Sequence, residues 1–147
     1  PISIATADLD HDNNTDIVIA NYGSDTISIL FGDGKGTLTD QIVHRVGVQP
    51  YCVAIADLNH DEHMDIVVAN SGSNNISILF GYGSGTFADQ MTHATGAVPL
   101  SVAIADLNHD QHLDIVVSNF ASQDISILFG HGDGTLTNQI THAPGVG

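Results

Sequence analysis

Basic residues are almost absent from this sequence. Lys35 and Arg45 stand against 17 acidic residues, which leaves a formal net charge of −15. A surface of this charge repels phosphate backbones and anionic lipids, so the sequence predicts no nucleic-acid partner. No apolar run approaches the roughly 18 residues that a membrane-spanning helix needs, so no membrane span is predicted either.

Cysteine, tryptophan and other aromatic residues are also scarce. Cys52 is the single cysteine, which excludes an intrachain disulfide. Tryptophan is absent and aromatic residues make up 5% of the chain. Carbohydrate binding, which uses aromatic faces for stacking, therefore stays open only as an alternative that would depend on Tyr22, Tyr51, Tyr82 and Phe120.

The residues that are abundant recur at a fixed interval. Asp8, Asp57 and Asp106 are 49 residues apart, and so are Phe31, Phe80 and Phe129. We predict three repeats, at residues 1–49, 50–98 and 99–147. If another copy of Pro1 followed the closing Gly-Val-Gly, the junction would resemble those between the repeats inside the chain. This resemblance indicates a segment of a continuing array.

Each repeat has the pattern of four short strands. In the third repeat, strands are predicted at 101–107, 113–119, 124–130 and 137–143, rich in Val and Ile and separated by Gly, Asn and Asp. No window has a helical period. Four strands per repeat of this length predict an all-β fold made of β-propeller blades, with a β-solenoid as the alternative.

A nine-residue acidic loop, D-x-[DN]-x-D-x-x-x-D, lies between the first two predicted strands of each repeat. Oxygen-bearing side chains at positions 1, 3, 5 and 9, with a backbone carbonyl at position 7, suit the hard oxygen ligands of calcium better than magnesium. We predict one Ca²⁺ per loop, about three per chain, against the alternative of a solvated acidic turn. The predicted ligands are Asp8, Asp10, Asp12, Asn14 and Asp16; Asp57, Asn59, Asp61, His63 and Asp65; and Asp106, Asn108, Asp110, His112 and Asp114.

The loops are not EF-hands. Position 12 of an EF-hand loop is a bidentate Glu, whereas this chain has Ile19, Val68 or Val117 there, and the flanking segments are strands.

Together with the following ILFG-x-G-x-GT segment, each loop resembles the FG-GAP/VCBS repeat of integrin α-subunit-like propellers. The resemblance covers all three repeats and implies an extracellular or cell-surface calcium-binding propeller that serves in adhesion, recognition or structural assembly. The family usually has Gly at loop position 6. This chain has Asn13, Glu62 or Gln111, and Glu and Gln adopt a left-handed backbone less readily, which bears on calcium affinity in the second and third loops.

Other motifs carry less weight. His60-x-x-His63 and its copy in the third repeat suggest zinc, but the first repeat lacks the pair, so solvated loop histidines are the preferred interpretation. The GDGKGT segment is predicted to be a tight turn and not a phosphate loop.

No catalytic constellation stands out, so no enzyme is predicted. Two triplets match the glycosylation pattern, at Asn13 and at Asn75. We predict that Asn75 is the more accessible of the two.

Three blades leave two apolar sheet faces uncovered, because propellers usually close with four to eight blades. We expect self-association or neighbouring repeats to cover them. Two copies could close a six-bladed ring, the chain could be part of a longer array, or the unit could grow into a filament. An extracellular protein or a glycan is the further partner expected.

Overall fold

The computed structural model describes residues 1–143, which form β-strands and no long helix. The strands are β1 (Ser3–Ala7), β2 (Asp16–Asn21), β3 (Thr26–Gly32), β4 (Leu38–Arg45), β5 (Pro50–Ala56), β6 (Asp65–Asn70), β7 (Asn75–Leu79), β8 (Met91–Ala94), β9 (Pro99–Ala105), β10 (Asp114–Asn119), β11 (Asp124–Leu128) and β12 (Ile140–His142). Among the described residues, no helix is long and apolar enough to cross a membrane.

The strands form three antiparallel sheets of four, and in each sheet the strand order follows the chain. Each sheet is one blade. The first strands of successive blades lie side by side, β1 beside β5 and β5 beside β9, so the blades form an open arc and not a closed ring. A β-solenoid would pair strands of successive coils, whereas the strand ladders here lie within single blades. The all-β propeller prediction is confirmed and the solenoid alternative is wrong.

Apolar side chains fill the two spaces between the blades. Alternate residues of a strand point to opposite faces. Ile66 and Val68 of β6 therefore pack toward the first blade, whereas Val67 packs toward the third. All three are completely buried. Burial on both faces explains why the central strands have nearly continuous apolar sequences instead of alternating ones.

The outermost strand is the most variable part of the blade. Of the predicted strand 137–143, only Ile140–His142 pairs with β11, and all three residues are exposed. In the first blade β4 is longer, because it continues past a register shift between Leu30 and Phe31. The third blade has only an isolated bridge at Gly130 in the corresponding place.

A buried polar row crosses each blade near the end opposite the acidic loop. In the second blade, Asn70 Nδ2 donates to Ser77 Oγ at 2.9 Å, and Ser77 Oγ donates to Gln90 Oε1 at 2.6 Å. Asn21 donates to Ser28 in the same way in the first blade. These bonds satisfy the Asn70 amide N–H and the Ser77 hydroxyl, whereas the amide oxygens of Asn70 and Asn119 are buried without a hydrogen-bond partner.

Candidate metal centre

The acidic loops all have the same backbone fold. Positions 4 and 6 are left-handed, with φ of 62° at His11 and 65° at Asn13 in the first loop, and similar values in the other two. Left-handed residues among right-handed ones turn backbone N–H groups inward to form an anion-binding hollow. The carboxylate at position 1 occupies it: Asn13 N donates to Asp8 Oδ2 at 2.9 Å, and Glu62 N donates to Asp57 Oδ2 at 2.9 Å.

The carboxylate at position 9 is fully buried and holds the loop closed. Leu9 N donates to Asp16 Oδ2 at 2.8 Å, and Gly32 N donates to Asp16 Oδ1 at 2.9 Å. Asp65 and Asp114 are bound in the same way. An ionised carboxylate has about four lone-pair sites, so these two bonds leave room for a cation. Position 9 thus has an organising role that sequence reasoning missed, because its glycine partner lies far along the chain.

Three carboxylates converge in the first loop. Asp8, Asp10 and Asp16 each offer an oxygen, and these oxygens lie within 4.8 Å of one another. Asp8 Oδ1 is buried and has no hydrogen-bond partner. A buried carboxylate oxygen without a partner is costly unless a cation or a donor meets it. The residues therefore fit a divalent cation bound among these three side chains.

The second and third loops differ at position 3, where Asn replaces Asp10. In the second loop, Asn59 Nδ2 donates to Asp61 Oδ2 at 2.9 Å, and both oxygens of Asp57 accept backbone N–H groups. The third loop repeats this arrangement, with Asn108 donating to Asp110 at 2.8 Å. Among the described residues, the close three-carboxylate cluster occurs in the first loop alone. In the other two loops, the oxygens of the predicted ligands accept hydrogen bonds from Asn side-chain amides and backbone N–H groups of the same loop.

The carboxylates of the loops differ in the direction in which their pKa values are shifted. Hydrogen bonds from the Asn14 side chain and backbone lower the pKa of exposed Asp12, and a bond from His112 N lowers that of Asp110. Desolvation and then the neighbouring carboxylates outweigh the bond from Asp12 N and raise the pKa of Asp10. Desolvation also raises the pKa of Asp65 to about 6. A cation would favour the charged form of Asp10 and Asp65 and so reverse both upward shifts.

The glycine-rich turn after β3 supports the loop from the side, as a tight turn and not a phosphate site. Gly34 has φ of 66°, and a Cβ there would collide with the side chain of Asn14 at position 7. In the second blade Gly83 lies against the His63 ring in the same way. The turn therefore restricts where the residue at loop position 7 can lie. The backbone carbonyl of that residue is a predicted ligand.

The histidines pair between blades and not within a loop. The rings of His11 and His63 have centroids 5.0 Å apart, and those of His60 and His112 are 5.5 Å apart. His112 Nδ1 lies 3.4 Å from His60 Nε2. The expectation of solvated histidines holds for His11 and His60, which are exposed, whereas His63 and His112 are half-buried.

The predicted glycosylation sites have the opposite accessibility to the one expected. Asn13 is exposed, in the left-handed position of the loop. Asn75 is half-buried, and its Oδ1 accepts hydrogen bonds from Asn70 Nδ2 at 2.9 Å and Ser73 Oγ at 3.0 Å. Asn75 is the first residue of β7, and its side chain belongs to the polar row. Its position in the sequence does not show this.

The aromatic residues considered for carbohydrate binding do not gather at one place. Tyr22 and Tyr51 pack edge to face, with centroids 6.2 Å apart, at the end opposite the acidic loops. Phe120 follows β10 at that same end but on the third blade, and Tyr82 follows β7 at the acidic-loop end. No shared aromatic platform forms from these four side chains.

The fold and the loops together define the class of protein: a β-propeller repeat with an acidic loop in every blade. Residues 8–68 and 57–117 match the family model described as FG-GAP-like repeat. These segments span most of the chain, so the chain belongs to the FG-GAP-like repeat family. Repeats of this family are typical of extracellular proteins.

Solved structures share the fold at low sequence identity. The crystal structure of BBS1N in complex with ARL6DN, soaked with lead, has a TM-score of 0.61 and 17% identity, over 93% of this chain and 42% of that chain. A Photorhabdus luminescens Tc holotoxin pore has a TM-score of 0.55 and 16% identity, over 98% of this chain and 7% of that one. The chain thus spans less than half the length of either protein. No curated protein matches it by sequence.

Proposed function

We propose that this chain is a non-enzymatic, calcium-binding repeat module of an extracellular or cell-surface protein, with one Ca²⁺ in each acidic loop. The observation that carries the proposal is the first loop. There Asp8 Oδ1 is buried without a hydrogen-bond partner, and oxygens of Asp8, Asp10 and Asp16 lie within 4.8 Å of one another. A dication would neutralise charges that otherwise repel each other at close range.

The residues present suit calcium by their chemistry. In the first loop Asp8, Asp10, Asp12 and Asp16 would supply carboxylate oxygens and Asn14 a backbone carbonyl, all hard ligands of the kind that calcium takes in a flexible geometry. Extracellular calcium modules bind with dissociation constants of roughly 10⁻⁴ to 10⁻³ M. Such sites fill where calcium is millimolar, which favours the extracellular location.

Calcium here would have a structural task. The loop joins the first two strands of a blade, and its buried Asp16 bonds to Gly32 at the end of β3. An ion held by this loop would make three strands of one blade rigid together. Rigid blades suit a module whose surfaces serve adhesion, recognition or assembly. The scattered aromatic side chains give carbohydrate binding no support.

Thermal unfolding with calcium and with excess chelator tests the proposal. We expect a calcium-dependent rise in melting temperature, because an ion that binds the folded state stabilises it by mass action. Asp8→Asn should remove much of the rise. Asp89→Asn, which removes the same charge from an exposed site outside the loops, should leave it intact. No rise at millimolar calcium, or an equal loss in both variants, would refute calcium binding by the loops.

A further inference from the structure

Each interior contact between blades joins the same two faces. We call the face of a blade toward the preceding repeat its leading face, and the opposite one its trailing face. The trailing face of the first blade, with Val18, Ile27 and Ile29, forms one buried cluster with Ile66 and Val68 of the second blade's leading face. The second and third blades repeat this packing with the corresponding residues, Val67, Ile76 and Ile78 against Ile115 and Val117.

The leading face of the first blade has similar apolar side chains, but no other blade among residues 1–143 packs against it. Ile4 is 63% exposed, whereas its counterparts Val53 and Val102 are 6% and 8% exposed. Ile17 and Ile19 are partly exposed, although the residues one repeat later are fully buried. A groove on this face runs past Ile17 and Leu38.

The trailing face of the third blade is uncovered in the same way. Leu107 is 44% exposed, whereas Leu9 and Leu58 at the same loop position are 2% and 4% exposed. Ile127 of β11 is partly exposed, whereas its counterparts Ile29 and Ile78 are 0% and 1% exposed. A second groove lies on this face.

An aromatic contact shows how the two open faces would meet. A Cβ on Gly85 would lie 2.7 Å from the Phe31 ring of the preceding blade, and one on Gly134 would lie 2.9 Å from the Phe80 ring. Each glycine thus makes room for the phenylalanine of the blade before it. Gly36, the counterpart in the first blade, has nothing within 4 Å. The matching ring would be Phe129, on the trailing side of the third blade.

We infer that a second copy of this chain covers both faces, by stacking the trailing face of its third blade on the leading face of the first blade, with Phe129 against Gly36. The contact continues the interfaces already present between the blades. It joins two different faces, so it is heterologous, and two copies related by a two-fold axis satisfy both open faces of each. The resulting six blades fall within the range of closed propellers. The inference does not depend on calcium.

Solution mass over a range of protein concentrations tests the inference. We expect the chain to have twice its mass of 15.4 kDa, or higher multiples at high concentration. Ile4→Lys on the leading face and Leu107→Lys on the trailing face should each abolish this association, because a charge is buried at the contact. Both side chains are exposed in the single chain, so folding should persist, which circular dichroism checks. Tyr82→Lys, at an exposed turn residue outside both faces, is the matched control and should still associate.

Mixing the two variants distinguishes stacking of unlike faces from association through like faces. Each variant keeps one intact face, so an equimolar mixture should form a pair joined by one trailing-on-leading contact. A wild-type chain that stays at 15.4 kDa, association that survives both substitutions, or a mixture that forms no pair would each overturn the inference.

Discussion

Gly81 N donates to Asp65 Oδ1 at 2.9 Å, and Leu58 N donates to the second oxygen of the same carboxylate, also at 2.9 Å. One buried side chain therefore joins the start of the acidic loop to the Phe-Gly segment at the end of the third strand of the blade. The first and third blades have the same bonds at Asp16 and Asp114. The acidic loop and the Phe-Gly pair, which are separate motifs in the sequence, are one structural unit.

Asp65→Asn should destabilise the fold more than any exposed aspartate substitution. The amide has one acceptor oxygen, so its NH₂ group would face either Leu58 N or Gly81 N, and a buried donor would lose its partner. We expect a loss of about 2 kcal/mol in the free energy of unfolding, measured by urea denaturation in chelator. Asp89→Asn, at an exposed position outside the loops, should cost less than about 0.5 kcal/mol. Equal losses would show that the buried bonds contribute nothing.

Position 3 of the loop should set the order of calcium affinities. Asp10→Asn gives the first loop the composition of the others and removes one carboxylate from the cluster of three. We expect its calcium affinity to fall on the order of tenfold, because affinity follows the charge of the ligand set. Asn59→Asp should raise the affinity of the second loop. Isothermal titration measures both, and a first loop that keeps its affinity in Asp10→Asn would show that Asp10 is not a ligand.

Glu62→Gly should stabilise the chain. Glu62 has φ of 68°, and a side chain in the left-handed region costs about 1 kcal/mol relative to glycine. Removal of a negative charge from the loop could also stabilise it, so Glu62→Ala is the matched control, since alanine loses the charge and keeps the backbone strain. In chelator the glycine variant should be more stable than the alanine variant by about 1 kcal/mol. If the glycine and alanine variants were equally stable, the stabilisation would come from loss of the negative charge and not from relief of backbone strain.

Two histidines should make the fold less stable in mild acid. Desolvation lowers the pKa of His44, whose ring packs edge to face on Phe87 at 5.9 Å, and that of His93. The negative charge of Asp89 opposes the shift at His44. A lowered folded-state pKa means that protons bind the unfolded chain more readily. These two side chains therefore reduce stability as pH falls through the unfolded value of 6.5. Asp65 has the opposite effect, because its pKa, raised to about 6, makes the folded chain bind a proton first.

His44→Leu should flatten this part of the pH–stability curve, measured by urea denaturation between about pH 7.5 and pH 5. His44→Gln removes the same ionisable group without adding an apolar side chain and should flatten the curve to a similar extent. If His44→Leu left the slope as it is, protonation of other groups would be responsible for the loss in acid.

The sequence predicts the blades well because their information is local. The apolar strands and the turns between them lie within one repeat, and the structure has four strands in each blade. Of the predicted ligands, Asp8, Asp10 and Asp16 come within 4.8 Å of one another, since a short loop keeps its side chains close. Gly36 and Gly85 occupy the same position of the G-x-G-x-G-T turn, yet only Gly85 meets a phenylalanine. That difference arises from the stacking of blades.

Contacts between blades could not be predicted, because they join residues of different repeats. His60 and His112 are 52 residues apart and meet only because position 4 of one loop lies against position 7 of the next. The sequence instead draws attention to His60 and His63, which are close along the chain. The left-handed conformation of Glu62 and Gln111 is a second case, because the inward-facing N–H groups of the loop prevail over the preference of these residues.

Three leucines with the same local sequence provide the sharpest comparison of burial. Leu9, Leu58 and Leu107 are 2%, 4% and 44% exposed, because only the first two have a following blade. Leu58→Ala should cost about 3 kcal/mol, whereas Leu107→Ala at low protein concentration should cost less than about 1 kcal/mol. If a second copy covers the third blade, the cost of Leu107→Ala should increase with concentration, since association stabilises only the chain whose leucine is buried. Urea denaturation at several concentrations measures this. A large cost for Leu107→Ala in the dilute monomer would contradict the open third blade, and a small cost at every concentration would count against its burial in an assembly.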